Sequence, residues 1–475
     1  MNRPVTLAAL TSPDPTRPDP MPVQIHRDLL AAIRDGRLPE GVRLPSSRAA
    51  AEGLGVSRAT VNTAYDLLRS EGVLTIRPGA APEVIAPRVL STRPQPAAAP
   101  ALSKRGRNLS TDPRAASYIV ERGVMHPGAP AESLFPADEW AQALRRAARQ
   151  RHGDLANYNA PFGLPALREV LAERLATDRG LWVDPEQILI TTGAQGSLAL
   201  VAQVMTDPGE TVAMEDPGFM GARAAFLGAG LEIAPVPVDE HGLKPGLVPG
   251  DARLIYATPS NQYPLGHRLS LPRRLELLDR ARAQDALVIE DDYDSEFLWR
   301  GREIAALAAH GESGGVVYLG TAAKVLMPAL RIGWMVVPEA LIGPMLAAHR
   351  NLGLMANLHA QLALAEMMRS GRYRAHLRRI ARAYEARGNA LTAALSDIKG
   401  IEVHAPDGGV QLTVRFRDGC DEVPVLTALA EAGFRPARLS AYCLAEPMYG
   451  LIVGFADATP DRIDRFAQVL GKALT

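Results

Sequence analysis

Lys324 stands in the run TAAKVLMPALRIGW, among small and apolar side chains, in a chain that meets its other needs for cations almost entirely with arginine. Only five of its 52 basic residues are lysines. Burial disfavours the charged ammonium and leaves a usable amine, so Lys324 is the first candidate for chemistry. TTGAQGSLAL follows the apolar pattern QILI and opens a helical one. The backbone N–H groups of Gly193, Ala194 and Gln195 would form an anion-binding helix N-terminus there. IEDDYDSEF closes another apolar strand with a cluster of acids, and Asp291 falls at the strand's C-terminal end, where α/β sheets hold ligands. Phe219, in EDPGF, follows a third strand and would cover a planar ring. Arg331, seven residues past Lys324, would add a cation for the same anion. Each has a plain alternative: a structural glycine turn, a solvated acidic loop, core packing, a solvent-facing arginine.

Taken as a set, the four features describe one pocket. A phosphate cradle, a carboxylate for a protonated ring nitrogen, an aromatic face and a desolvated lysine fit pyridoxal 5'-phosphate, with Lys324 holding its aldehyde as a Schiff base.

The elements that must position these residues are legible too. From about residue 116 to 475, helical patterns alternate with short β-branched strands (QILITT, TVAME, LIYATP, ALVIEDD, VVYLGT), which predicts an α/β sheet covered by helices. The larger domain is placed at about 155–345 and a smaller α+β domain at about 345–475. Before them, residues 21–86 carry three helical patterns and two short strands. The first places Ile25, Leu29, Leu30 and Ile33 on one stripe; the third starts at an N-cap serine, Ser57, and carries Val61, Ala64, Tyr65 and Leu68. A short helix, a turn at Leu54-Gly55-Val56 and a longer helix make a helix-turn-helix. Ser57, Arg58, Thr60 and Asn62 fall where such helices meet base edges and phosphates, and Arg43, Ser46, Ser47 and Arg48, at the start of the preceding helix, would hold phosphate. The first twenty residues read as disordered. Residues 87–110 carry five cations and no acid, and 87–115 is read as a flexible Pro/Ala-rich linker.

Bulk numbers add limits. At 475 residues the chain exceeds one core, and 47% hydrophobic with 22% charged residues is ordinary globular composition. Formal net charge is zero, so charge selects no partner. Two cysteines, Cys420 and Cys443, argue against a disulfide framework or a zinc site, and no apolar run reads as a membrane span. A cytoplasmic protein is expected.

GRLPEGVRLPSSRAAAEGLGVSRATVNTAYDLLRSEGVL resembles the winged helix-turn-helix of GntR-type bacterial repressors. One departure is the wing, RPGAAPEVI, where Pro82 removes a ladder donor and the tip lacks hydroxyls, leaving Arg77 as its candidate DNA contact. The rest is similar to fold-type-I aminotransferases, and the whole to the MocR family, GntR-type repressors fused to an aminotransferase-like domain. TPSNQYPLG, IEDDYDSEF and YLGTAAKVLMPALRIGW carry that likeness.

The resemblance implies that Lys324 forms the Schiff base and Asp291 pairs with the pyridine nitrogen. Tyr293 would bond the ring's 3-oxygen, and Phe219 would stack. Gly193, Ala194, Gln195, Thr321 and Arg331 would hold the phosphate; Asn261 would lie near the ring, and Tyr158 would reach a second subunit's phosphate. It further implies a domain-swapped, head-to-tail homodimer. Two departures stand out: Ala323 replaces a serine before the lysine, and GLIVGFA holds Ile452 or a neighbouring aliphatic residue where aminotransferases carry a carboxylate-gripping arginine. The leading reading is therefore a regulator binding operator DNA and sensing pyridoxal phosphate or an amino compound that forms an aldimine with it. The alternative is a working aminotransferase that kept a DNA-binding module.

Overall fold

The computed structural model describes residues 6–77, 80–85, 101–111, 124–150, 162–299, 305–311, 315–417 and 420–474. They fall into two compact units, Met1–Ala101 and Leu102–Thr475.

In the first unit, α1 (Met21–Arg34), α2 (Ser47–Leu54) and α3 (Arg58–Ser70) bury their apolar stripes against one another. Ile25, Leu29 and Ile33 meet Val61, Ala64, Tyr65 and Leu68 in a single core. Gly55, in the left-handed region at φ 64°, ends α2 and swings the chain into α3. β1 (Leu74–Thr75) and β2 (Glu83–Val84) pair antiparallel, giving the wing hairpin.

The expectation of a disordered start is corrected for residues 6–20. Leu7 is only 3% exposed and joins the helical core. Thr11 Oγ1 donates to Asp28 Oδ2 at 2.7 Å, and the buried Gln24 donates through Nε2 to the carbonyls of Asp14 and Asp19 at 2.9 and 2.7 Å. Prolines leave this segment little backbone entropy to lose, so one apolar anchor and one bridging amide hold it.

The second unit is built on an eight-stranded sheet of order β3-β10-β9-β8-β7-β4-β5-β6. Its strands are β3 (Ile188–Thr191), β4 (Thr211–Asp216), β5 (Glu232–Asp239), β6 (Gly242–Leu243), β7 (Ala252–Ala257), β8 (Leu287–Asp292), β9 (Val316–Thr321) and β10 (Gly333–Val336). β4, β5, β7, β8 and β9 run parallel, and β10 lies antiparallel between β9 and β3. Helices cover both faces, so β3 and β8 are buried at every residue and read as continuous apolar runs until their ends. A second, antiparallel sheet has order β11-β12-β14-β13, from β11 (Ile401–Val403), β12 (Gln411–Phe416), β13 (Ala437–Arg438) and β14 (Gly450–Gly454).

Part of the stretch read as linker is ordered. Lys104–Thr111 forms a helix, α4, packed on the helix Met220–Ala229, with Leu109 so close that a Cβ on Gly228 would lie 2.8 Å from it. Its eight residues hold a single large apolar side chain, too few to show a helical period.

Candidate functional site

The parallel strands and β3 all point their C-terminal ends to one edge of the large sheet, and the candidate residues follow from that edge. Gly193, at φ 109°, is the N-cap of the helix Ala194–Met205 and offers no side-chain acceptor, so the first-turn amides carry no side-chain cap. Gly333 crosses so near that a Cβ on it would come within 2.7 Å of Gly193 Cα. Two glycines make that crossing, and Arg331 stands two residues before it, itself left-handed at φ 53°. A Cβ on Gly193 would lie 3.9 Å from Arg331 Nη1, so guanidinium and helix N-terminus share one corner. Both contribute positive potential there.

Gln195 turns sideways, and its Nε2 donates to Gly221 O at 2.9 Å. The Phe219 ring folds over Gly221, where a Cβ would meet its edge at 2.3 Å and Gln195 Oε1 at 2.9 Å. Phe219 then meets Tyr263 edge to face at 5.5 Å, and Tyr263 meets Tyr293 at 5.8 Å. Thr321 ends β9; its Oγ1 accepts from Ala323 N at 3.1 Å and so shapes the turn into Lys324.

Lys324 is half-buried, less than its apolar neighbours imply, and Nζ donates to Gly128 O at 2.6 Å. Gly128 reaches it because the preceding chain docks on β14. Gly454 N donates to Met125 O at 2.9 Å, and a Cβ on Gly454 would strike His126 O at 2.2 Å. Asp291 is 4% exposed, and its Oδ2 accepts from Tyr256 Oη at 2.8 Å. Burial pushes Asp291 up to about 6, the Tyr256 bond opposes this, nearby Asp292 adds to it, and the charge of Lys324 pulls it down.

Asn261 donates through Nδ2 to Asp294 Oδ2 at 2.7 Å. Asp294 was legible only as one acid among several in IEDDYDSEF, and its placement is new. Burial pushes its carboxyl up to about 8, and its Oδ1 is buried without a hydrogen-bond partner. Glu215, also buried, holds the loop that carries Asn261 by accepting from Thr258 N at 3.1 Å and Thr258 Oγ1 at 2.5 Å. Sequence reasoning missed Gln411 altogether. It opens β12, both its side-chain polar atoms are buried without partners, and a Cβ on Gly128 would lie 3.8 Å from its Oε1 and 3.2 Å from Lys324 Nζ. Gln411 is the first of three polar residues alternating with apolar ones in QLTVRF, so by pattern it reads as an ordinary outward position of a half-buried strand. Tyr158 lies outside the described residues.

In the first unit, Ser46 and Ser57 cap α2 and α3, accepting from Ala49 N at 3.3 Å and Thr60 N at 3.1 Å. Arg58 Nε donates to Ser47 Oγ at 3.2 Å, joining the starts of the two helices, and Thr60 Oγ1 lies 2.8 Å from Ser57 Oγ. Arg48, Arg58, Asn62 and Arg77 are exposed. Arg43 is also exposed, and pairs with Glu83 on β2 at 3.6 Å. Among the described residues no helix is long and apolar enough to cross a membrane, and no group of side chains could hold a metal ion.

Residues 23–84 match the family described as bacterial regulatory proteins, gntR family, and residues 128–446 match aminotransferase class I and II. The "Probable rhizopine catabolism regulatory protein MocR" of Rhizobium meliloti is 38% identical over 452 residues, covering 93% of this chain and 91% of that protein. The chain belongs to the MocR family of transcriptional regulators. A second relative with this span is the "HTH-type pyridoxine biosynthesis transcriptional regulator PdxR" of Corynebacterium glutamicum, 31% identical and covering 95% of each chain. The aminotransferase fold of this MocR-type chain is similar to the solved α-aminoadipate aminotransferase LysN of Thermus thermophilus, with TM-score 0.71 and 27% identity over 78% of this chain and 97% of that one. The family's two-part architecture, a gntR-type DNA-binding head and an aminotransferase-like unit, is thus present here.

Proposed function

We propose that this MocR-type regulator holds pyridoxal 5'-phosphate beside Lys324 and changes its grip on operator DNA when the cofactor, or an amino compound reacting with it, occupies the pocket. The observation that carries the reading is the convergence of Lys324, Asp291 and the Gly193–Arg331 corner on one edge of the sheet. When bound, the cofactor supplies an aldehyde carbon that exchanges amines.

The residues fit such a group. The helix N-terminus at Gly193, Ala194 and Gln195, without a side-chain cap, offers donors to a phosphate, and Arg331 supplies charge. Thr321 would add a hydroxyl. Asp291, pushed up by burial, is a carboxyl that gains from a cationic N–H partner. Phe219 would cover the ring, Tyr293 and Asn261 would meet its oxygen substituent, and Lys324 Nζ would leave Gly128 O to hold the aldehyde carbon. Tyr158 would serve a second subunit of a head-to-tail homodimer.

On the head, Arg48 and Arg58 with Arg43, Ser46 and Ser47 would meet phosphates, while Ser57, Thr60 and Asn62 would meet base edges; Arg77 would serve the wing. An occupied pocket shifts DNA affinity only through unequal affinity for two arrangements of the protein. Steady transamination of amino acids is not expected, because Ile452, fully buried, stands where a carboxylate-gripping arginine would be needed.

The test is spectroscopic. Purified protein supplied with pyridoxal phosphate should absorb in the visible-edge band of a lysine-bound cofactor, and Lys324→Ala should lose it. A wild type that stays colourless sinks the reading.

A further inference from the structure

We infer that the ligand reacting at Lys324 is a hydroxylated amine without a carboxylate, recognised by the side-chain amide of Gln411. This rests on the reading that the pocket holds pyridoxal phosphate and specifies what reacts there.

The register of the small sheet builds the recognition surface. Gln411 on β12 lies opposite Gly454 on β14, and Thr413 opposite Ile452. Directly opposed residues share a face, as do residues two apart on one strand, so these four form a single patch. The patch looks toward Lys324, because the His126–Gly128 chain packs on Gly454 and passes Gly128 O to Nζ.

Three of the four positions offer a ligand no side-chain hydrogen-bond donor. Gly454 has no side chain. Ile452 is fully buried in a cluster with Met220, Tyr263, Leu439 and Tyr442, and its other neighbour, Ala437 on β13, is also apolar. Thr413 Oγ1 already donates to Pro264 O at 2.6 Å. Gln411 remains, with donor and acceptor both buried and unpaired. A buried polar atom left without its bond is costly, so a ligand that completes both gains most.

A hydroxyl both accepts and donates, and completes the amide. A carboxylate only accepts, so it would serve Nε2 and leave Oε1 unmatched. It would also bring a negative charge toward the Asp291 carboxylate, which already interacts with Lys324. Of the cations already described, Lys324 would be engaged by the cofactor and Arg331 stands at the Gly193 corner. Arg438 is held by Glu422 at 2.8 Å. An alkyl amine would leave both amide atoms unpaired.

Absorbance titration of the full-length, cofactor-loaded protein with serinol, L-serine and 2-propylamine tests this, since the three amines differ in hydroxyls and carboxylate. Serinol should perturb the cofactor band at a concentration about tenfold or more below the other two, the range expected when a buried polar group is matched or left unmatched. Gln411→Leu should remove the advantage of serinol over 2-propylamine, and Gln411→Asn should keep part of it. Ile452→Arg should shift preference toward L-serine. The wild-type order decides the matter even if that last variant fails to fold. L-serine equal to or ahead of serinol overturns the inference, as does a serinol preference that survives Gln411→Leu, or a loaded protein whose band no amine alters. A wild type with no band at all overturns instead the cofactor reading beneath it.

Discussion

Asp294 Oδ2 accepts a 2.7 Å hydrogen bond from Asn261 Nδ2, while its other oxygen is buried and unpaired. Burial raises its folded value to about 8, with the Asn261 bond and Lys324 opposing and Asp292 and Asp291 adding. A carboxyl raised in this way contributes stability that is complete below its ordinary value and is lost as pH rises through about 8. Cofactor-free protein should therefore lose melting temperature between pH 5 and about 8. Asp294→Asn, which keeps an acceptor for Asn261 and never ionises, should flatten that slope. An unchanged slope in the variant would assign the pH response elsewhere; Glu215 and Glu290, each pushed up to about 7 by burial, and Asp291, pushed up to about 6, are other carboxyls able to produce it.

Tyr256 is the hydrogen-bond donor to Asp291 Oδ2, at 2.8 Å. Its bond favours the charged carboxylate against the cost of burial. Tyr256→Phe should push Asp291 further up and weaken its hold on a cationic ring nitrogen. Affinity for pyridoxal phosphate should fall about tenfold, the worth of one hydrogen bond to a charged group. Fluorescence titration with the cofactor measures it, and an unchanged Kd would remove Tyr256 from the site.

Arg48 and Arg58 stand exposed at the starts of α2 and α3, and Arg58 also ties to Ser47. Replacing either by Ala should weaken operator binding across sequences and reduce the slope of log affinity against log salt by about 0.9 per lost phosphate contact. Fluorescence anisotropy at several salt concentrations gives both quantities. Normal binding by both variants would place the DNA-reading surface elsewhere.

The residue 6–20 segment should matter to the head's stability. Leu7→Ala empties a buried leucine site and should cost about 2–3 kcal/mol of the head's unfolding free energy, and Thr11→Val, which drops the bond to Asp28, about 1 kcal/mol. Urea unfolding followed by helical circular dichroism reads both. A Leu7 variant as stable as wild type would show that the segment only rests on the head.

Gly320, on β9, faces Trp334 on β10, and a Cβ on Gly320 would lie 2.2 Å from the indole Nε1. Gly320→Ala forces that buried ring aside next to the turn carrying Lys324. It should lower the melting temperature by several degrees, in keeping with overpacking costs of about 1–3 kcal/mol. A double variant with Trp334→Phe should recover part of the loss.

The sequence alone determined the periodic elements and the motifs tied to them. The α3 stripe Val61, Ala64, Tyr65 and Leu68 and the buried run of β8 state their burial in residue type, because 3.6- and 2-residue periods and continuous apolar runs are local properties. Lys324, Asp291, Phe219 and the Gly193 turn were legible for the same reason: each sits where a recognisable element ends. Tertiary structure decided what no local pattern carries. Leu7 and α4 hold too few apolar side chains to announce themselves, and their order comes from the surfaces they cover. Gln411 is set beside Lys324 by the register of β12 against β14 and by the approach of Gly128, three segments far apart in the chain. Such a position is fixed by packing across the fold, and its chemistry depends on neighbours that the order of residues does not reveal.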